Sequence, residues 1–156
     1  TIACLATVGV AHEVRLNRND SLDLAIARNG GVFSLGDINL TDHQEIYYDG
    51  PIFLGSNAQR FDVVYDTGSF NLVLEKKGCD TCKGKHFFDP TQSTTSKQLD
   101  NKDYGLGYGS AYLIAEKWQD SASIGSAKGP HAENYTFWPF VEETGLDLDG
   151  IMGLGP

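Results

Sequence analysis

The sequence predicts an all-β fold, and three observations carry that prediction. From Ile46 onward, short runs rich in β-branched and aromatic residues recur between glycines and polar turns, a cadence that belongs to strands. Phe61, Val63 and Tyr65 alternate with Asp62 and Val64, the period of two expected of a strand with one face in a core. No segment sustains a helical period over the roughly twelve residues an amphipathic helix needs, and eighteen glycines suit a chain of many reversals.

Taken in order, the expected strands are Ile46 to Tyr48, Pro51 to Leu54, Arg60 to Tyr65, Asn71 to Leu74, Tyr104 to Tyr108, Tyr112 to Ala115, Ala122 to Ile124 and Tyr135 to Val141. The first two are apolar runs parted by Asp49-Gly50, read as a tight turn in which glycine supplies a positive φ; Asp149-Gly150 is read the same way. No internal repeat is visible.

Composition narrows the function classes. A chain of 156 residues with 40% hydrophobic and 11% aromatic content suffices for one domain with its own core. A net charge of -9 argues against nucleic acid or an anionic membrane surface as partner, since both recruit basic patches. An acidic surface also suits an acidic compartment, where neutralised carboxylates leave little charge to push the fold apart.

Residues 1–11 form a short apolar run of small side chains ending in Gly9-Val10-Ala11, the texture of the end of a secretory signal peptide and too short to span a bilayer; a buried strand is the competing reading. Residues 12–44 lack a sustained period and read as a pro-segment or linker, within which Leu22 to Ala27 suits either a strand or a helical turn. Residues 45–156 are the expected folded domain. If residues 1–11 are removed, Cys4 leaves with them and Cys79 and Cys82 remain, an even count that in a secretory setting reads as a disulfide. A zinc site using Cys79, Cys82 and His86 lacks a fourth ligand at a suitable spacing, and a redox pair lacks its βαβ surroundings. Asn19-Asp20-Ser21, Asn39-Leu40-Thr41 and Asn134-Tyr135-Thr136 are acceptor sequences for N-linked glycans. The expected location is the secretory pathway, ending outside the cell or in an acidic lysosome- or vacuole-like compartment.

The residues that carry chemistry are Asp66-Thr67-Gly68-Ser69, placed after the apolar strand Phe61 to Tyr65. An aspartate ending a buried strand is half desolvated, a glycine beside it lets the backbone turn sharply, and two neighbouring hydroxyls can orient its oxygens. Those are requirements of a carboxylate that shares a proton and activates water; an aspartate capping a turn is the structural alternative. Asp147-Leu148-Asp149 lacks further oxygen ligands at calcium-loop spacing and reads as a turn.

Five segments in order then bear a resemblance. Tyr48 to Ile52 with Leu54-Gly55, Phe61 to Ser69, Cys79 to Cys82 with the polar stretch from Phe88-Asp89-Pro90 to Thr95, Tyr108-Gly109-Ser110 leading through Leu113 to Ile124-Gly125, and Asp149 to Gly155 resemble the amino-terminal lobe of the pepsin-like aspartic proteases. The resemblance spans residues 47–156 and implies a barrel-like all-β lobe of a bilobal fold. It also implies an endopeptidase in which two aspartates share one proton, with Asp66 as one of them and Thr67, Gly68 and Ser69 supporting its loop, Ser69 by a hydrogen bond to the carboxylate. A disulfide between Cys79 and Cys82 is implied too, as is a flap with Tyr108 at its base and Gly109, Ser110 and Ala111 near its tip, closing over an extended peptide. No cofactor or metal follows from it.

Several positions depart from the family pattern. Val73 stands where an indole usually bonds the flap tyrosine, Phe70 replaces a small residue, Ser56-Asn57 replaces Thr-Pro, and Ala111 and Ala115 occupy flap glycine positions. No second Asp-Thr-Gly or Asp-Ser-Gly occurs. The expected reading is part of a two-lobe enzyme whose carboxyl-terminal lobe lies outside this sequence, inactive as the part alone. A homodimer in the retroviral manner and an inactive relative that binds peptides are the alternatives.

Overall fold

The computed structural model describes residues 5–8, 10–13, 16–17, 38–43, 46–109 and 111–155. At the start, strands β1 (Leu5–Val8) and β2 (Val10–Glu13) form an antiparallel pair, and β3 (Leu16–Asn17) runs parallel to β4 (Ile38–Asn39). The segment Leu22 to Ala27, Cys4 and Asn19 lie outside the described residues. Then follow β5 (Thr41–His43), β6 (Tyr47–Leu54), β7 (Gln59–Asp66), β8 (Leu72–Glu75), a 3-10 turn (Pro90–Gln92), β9 (Lys97–Gln98), β10 (Tyr104–Tyr108), β11 (Ala111–Ala115), β12 (Trp118–Ile124), β13 (His131–Thr144) and β14 (Gly150–Gly153). The all-β prediction holds, and among the described residues no helix is long and apolar enough to cross a membrane.

Strands β13, β8, β14, β7, β6 and β12 are paired in that order, and β12 pairs back onto β13, closing the sheet into a barrel. The β8–β13 and β7–β14 pairs are parallel and the other four antiparallel. The alternation read in β7 places Phe61, Val63 and Tyr65 inside, with Ile52, Leu54, Leu72, Leu74, Trp118, Phe137 and Met152. Phe88 fills the middle, edge-on to Phe137 at 5.0 Å and to Trp118 at 5.6 Å. Outside the barrel wall, the β10–β11 hairpin packs on a second cluster of Val73, Ala111, Leu113, Ala115, Phe140 and Ile151. Strands β8 and β14 are therefore buried on both faces, which is why Leu72-Val73-Leu74 shows no alternation: successive side chains enter different cores.

Two sequence expectations are corrected. Asp49-Gly50 lies inside β6 and Gly150 opens β14, and neither glycine has a positive φ. Gly150 is required by proximity instead, since a Cβ there would stand 2.1 Å from the Val73 carbonyl oxygen. The strand expected over Tyr135 to Val141 is also longer, a single 14-residue element whose first half pairs with β12 and whose second half carries β11.

Candidate active site

Asp66 ends β7, beside Gly153 of the parallel strand β14. The loop that follows is stitched to the end of β14 by three backbone bonds: Leu154 N–H to Asp66 O at 2.7 Å, Gly153 N–H to Asn71 O at 2.9 Å and Gly155 N–H to Ser69 O at 2.8 Å. The two stretches approach so closely that a Cβ on Gly153 would stand 2.5 Å from the Phe70 carbonyl carbon. The end of β14, with glycine at the point of closest approach, thus fixes the path of the loop that carries the aspartate. The Asp66 Oδ1 accepts the Gly68 N–H at 2.9 Å, an Asx-type turn that orients the carboxylate. Ser69 does not make the bond expected of it. Its Oγ is buried with no hydrogen-bond partner in the structure, and the Thr67 side chain is exposed. The loop is held through its backbone rather than through those hydroxyls.

Strands β10 and β11 pair in register from Tyr104↔Ala115 to Tyr108↔Ala111, leaving Gly109 and Ser110 as a two-residue connection with Gly109 at φ 55°. Ser110 lies outside the described residues. Tyr108 therefore flanks the tip of the hairpin, not its base as expected. Leu106, Tyr108 and Ala111 face inward, and with Asp66, Phe70 and Ile151 they line a cleft of about 490 Å³. Burial pushes the Tyr108 phenol up; the Asn71 side chain, hydrogen-bonded to it, works in the opposite sense, and the charge of Asp66 adds to the rise. Val73 is fully buried beneath the hairpin, in the apolar cluster on which Tyr108 packs, and Asn71 supplies the polar contact to Tyr108.

The cysteine reading resolves as well. Cys79 and Cys82 form a disulfide with a Cα–Cα distance of 5.5 Å, and His86, the third ligand of the zinc alternative, turns to Asp149 instead, Nδ1 to Oδ2 at 2.5 Å. Asp149, read as part of a turn, is a buried hydrogen-bond hub. Its Oδ1 accepts the N–H groups of Lys85 (2.7 Å) and His86 (3.3 Å), and its Oδ2 also accepts the Asp62 N–H at 3.2 Å. Asp62, His86 and Asp149 bring ligand-type atoms within 4.8 Å of one another, but each Asp149 oxygen already has two donors and Asp62 Oδ1 accepts from Arg60 at 2.8 Å. The cluster works as a clasp.

Sequence reasoning missed Glu75. It is fully buried at the end of β8, with Oε1 accepting the N–H groups of Lys83 (3.0 Å) and Gly84 (2.7 Å) and Oε2 without a partner. The signal that could have found it was a charged residue closing the apolar run Leu72-Val73-Leu74. Of the acceptor sequences, Asn134 is exposed and Asn39 lies in β4.

Comparisons with known proteins bear on this arrangement. A family model described as eukaryotic aspartyl protease matches residues 47–156. The chain is similar to chymosin of Callithrix jacchus (32% identical, over 74% of this chain and 31% of that protein) and to cathepsin E of Mus musculus (30%, over 88% and 36%). It is similar also to procardosin-B of Cynara cardunculus (30%, over 93% and 29%). The chain thus spans about a third of the length of the curated relatives it matches.

Proposed function

This chain belongs to the eukaryotic aspartyl protease family, and from that premise we propose that Asp66 is one carboxylate of a catalytic pair that hydrolyses peptide bonds in an extended polypeptide. The observation that carries the reading is the placement of Asp66 on a backbone-stitched loop at the floor of a cleft roofed by the Tyr104–Ala115 hairpin. With no second Asp-Thr-Gly or Asp-Ser-Gly in the 156 residues, the pair takes its other carboxylate from outside this sequence, and the 156-residue chain is inactive alone. Two carboxylates too close to ionise together share a proton. The ionised one takes a proton from a bound water as it attacks the peptide carbonyl, and the protonated one donates to the carbonyl oxygen. The hairpin closes over the substrate and excludes water. Residues 45–156 are the lobe that carries this chemistry and 12–44 a pro-segment or linker; the disulfide supports a secretory location.

The test is digestion of denatured globin at acidic pH by the full-length protein. Cleavage by wild type and its loss in Asp66→Asn support the proposal. Intact globin with wild type, alongside retained binding of extended peptides, favours the inactive peptide-binding relative. Acid protease activity from a strict monomer excludes the homodimer.

A further inference from the structure

We propose that Asn134 carries an N-linked oligosaccharide, on a β-bulge built into the end of the barrel remote from the cleft. Between Asp120 and Ala122 the β12–β13 register shifts: Asp120 faces Tyr135, and Ala122 faces Ala132. Ser121 alone therefore opposes Glu133 and Asn134, which is the two-against-one count of a bulge. Asn134 adopts φ 54°, one of two non-glycine residues with positive φ among those described. Its backbone carbonyl accepts the Gln119 Nε2–H at 2.9 Å, which anchors the bulge, while its side chain is exposed and no hydrogen bond among the described residues engages the carboxamide.

The rest of the acceptor sequence is placed by the core. Phe137 is fully buried in the barrel and Tyr135 packs against the same cluster, so Thr136 between them faces outward, half-buried and paired with Gln119. The acceptor nitrogen and the hydroxyl two residues on are both on the outer surface. Asn134 and the last residue of β13, Thr144, are separated by roughly 33 Å of extended strand at about 3.3 Å per residue, and the cleft-lining Gly145 and Leu146 follow that far end. A glycan here stands clear of the flap and the substrate path. The Cys79–Cys82 disulfide belongs to the oxidising compartments in which such transfer takes place.

In the transfer step the Asn134 Nδ2 forms a bond to the anomeric carbon of a polyprenyl-diphosphate-linked oligosaccharide. The anomeric C–O bond breaks, the diphosphate leaves with its electron pair, and one amide proton is released. This modification is independent of the chemistry proposed for Asp66.

A purely conformational role for Asn134 makes a different prediction, because asparagine is among the residues that tolerate positive φ. The full-length protein is secreted from a eukaryotic host as wild type, Thr136→Val and Asn134→Gly, then treated with peptide N-glycosidase and mapped by mass spectrometry. Thr136→Val keeps the asparagine and its backbone; Asn134→Gly keeps the positive φ and removes the acceptor. The expected result is conversion of Asn134 to aspartate by the glycosidase in wild type, and loss of the same glycan mass from both secreted variants. Unmodified Asn134 in secreted, disulfide-bonded wild type overturns the proposal, even if Asn39 is occupied. So does a chain that stays in the cytosol with its cysteines reduced.

Discussion

The buried carboxylates of Glu75 and Asp149 grip consecutive residues of one loop, Glu75 holding the N–H groups of Lys83 and Gly84 and Asp149 those of Lys85 and His86. The two are themselves joined by the Glu75 N–H to Asp149 carbonyl bond at 2.9 Å. They come together around Gly84, where a Cβ would stand 2.3 Å from Glu75 Oε2 and 2.9 Å from Asp149 Oδ1. The disulfide loop is thereby tied to β8 and to the entry of β14, the two strands that flank the loop bearing Asp66.

Glu75 makes the fold pH-dependent. Burial raises its pKa, the Gly84 and Lys83 N–H groups oppose the rise, and the charges of Asp149 and Glu143 add to it. Because the folded-state pKa lies above the unfolded value of about 4.3, the associated stabilisation is full below that value and is lost as pH rises through the folded-state pKa. The melting temperature of residues 45–156 should fall as pH rises above about 4.3. Glu75→Gln, which keeps an acceptor for both N–H groups, should flatten that fall, whereas Glu75→Ala should cost about 1–3 kcal/mol at acidic pH by leaving them unpaired. An unchanged slope in Glu75→Gln would refute the assignment.

Gly150→Ala should be among the most damaging small substitutions in the chain. Its Cβ would meet the Val73 carbonyl oxygen at 2.1 Å and Leu74 Cα at 3.1 Å, backbone atoms that cannot step aside without parting β8 from β14. The expected loss exceeds about 3 kcal/mol, read as the shift in urea midpoint. Gly107→Ala, with open space around its would-be Cβ, is the control and should cost about 1 kcal/mol or less.

Removing the disulfide should cost little. Cys79 and Cys82 are three apart in sequence, and closing so short a loop accounts for about 2 kcal/mol of unfolded-state entropy. The clasp of Glu75 and Asp149 holds the following residues independently. Paired Cys79→Ser and Cys82→Ser changes should therefore leave a cooperative transition about 2 kcal/mol weaker, while Asp149→Ala, which strands three backbone donors, should lose more. The reverse ranking in chemical denaturation would count against the clasp.

Asn71 should matter through Tyr108. If the full-length protein cleaves peptides as proposed, Asn71→Ala should lower kcat/KM roughly tenfold, the equivalent of one hydrogen bond of about 1.4 kcal/mol. Tyr108→Phe should reproduce that loss, and the double change should add little to either. Additive losses would show that Asn71 acts elsewhere.

Much of this molecule was legible before folding was considered. The alternation of Phe61, Val63 and Tyr65 set the face of β7, and Asp66-Thr67-Gly68 marked the loop after it, because both signals lie within a few consecutive residues. Glu75 and Asp149 were illegible for the opposite reason: the donors that justify burying Glu75 come from the residues just past the disulfide, Lys83 and Gly84, whose return to β8 no local pattern shows, and those of Asp149 come from Lys85, His86 and Asp62, more than sixty residues away. The double burial of Leu72-Val73-Leu74 was hidden likewise, since its second face is covered by a hairpin more than thirty residues on.

The sequence by itself determined that the chain is all-β, that an aspartate ends a buried strand, and that Cys79 and Cys82 stand at disulfide spacing. Those features rest on side-chain period and local turn chemistry, which neighbouring residues decide. Only the tertiary structure decided that β13 serves both the barrel and the β10–β11 hairpin, that Gly150 is required by a carbonyl oxygen rather than by a turn, and that Ser69 leaves Asp66 to the Gly68 N–H. Close approach and hydrogen-bond partnership are set between strands distant in the chain, and no local pattern encodes a distance.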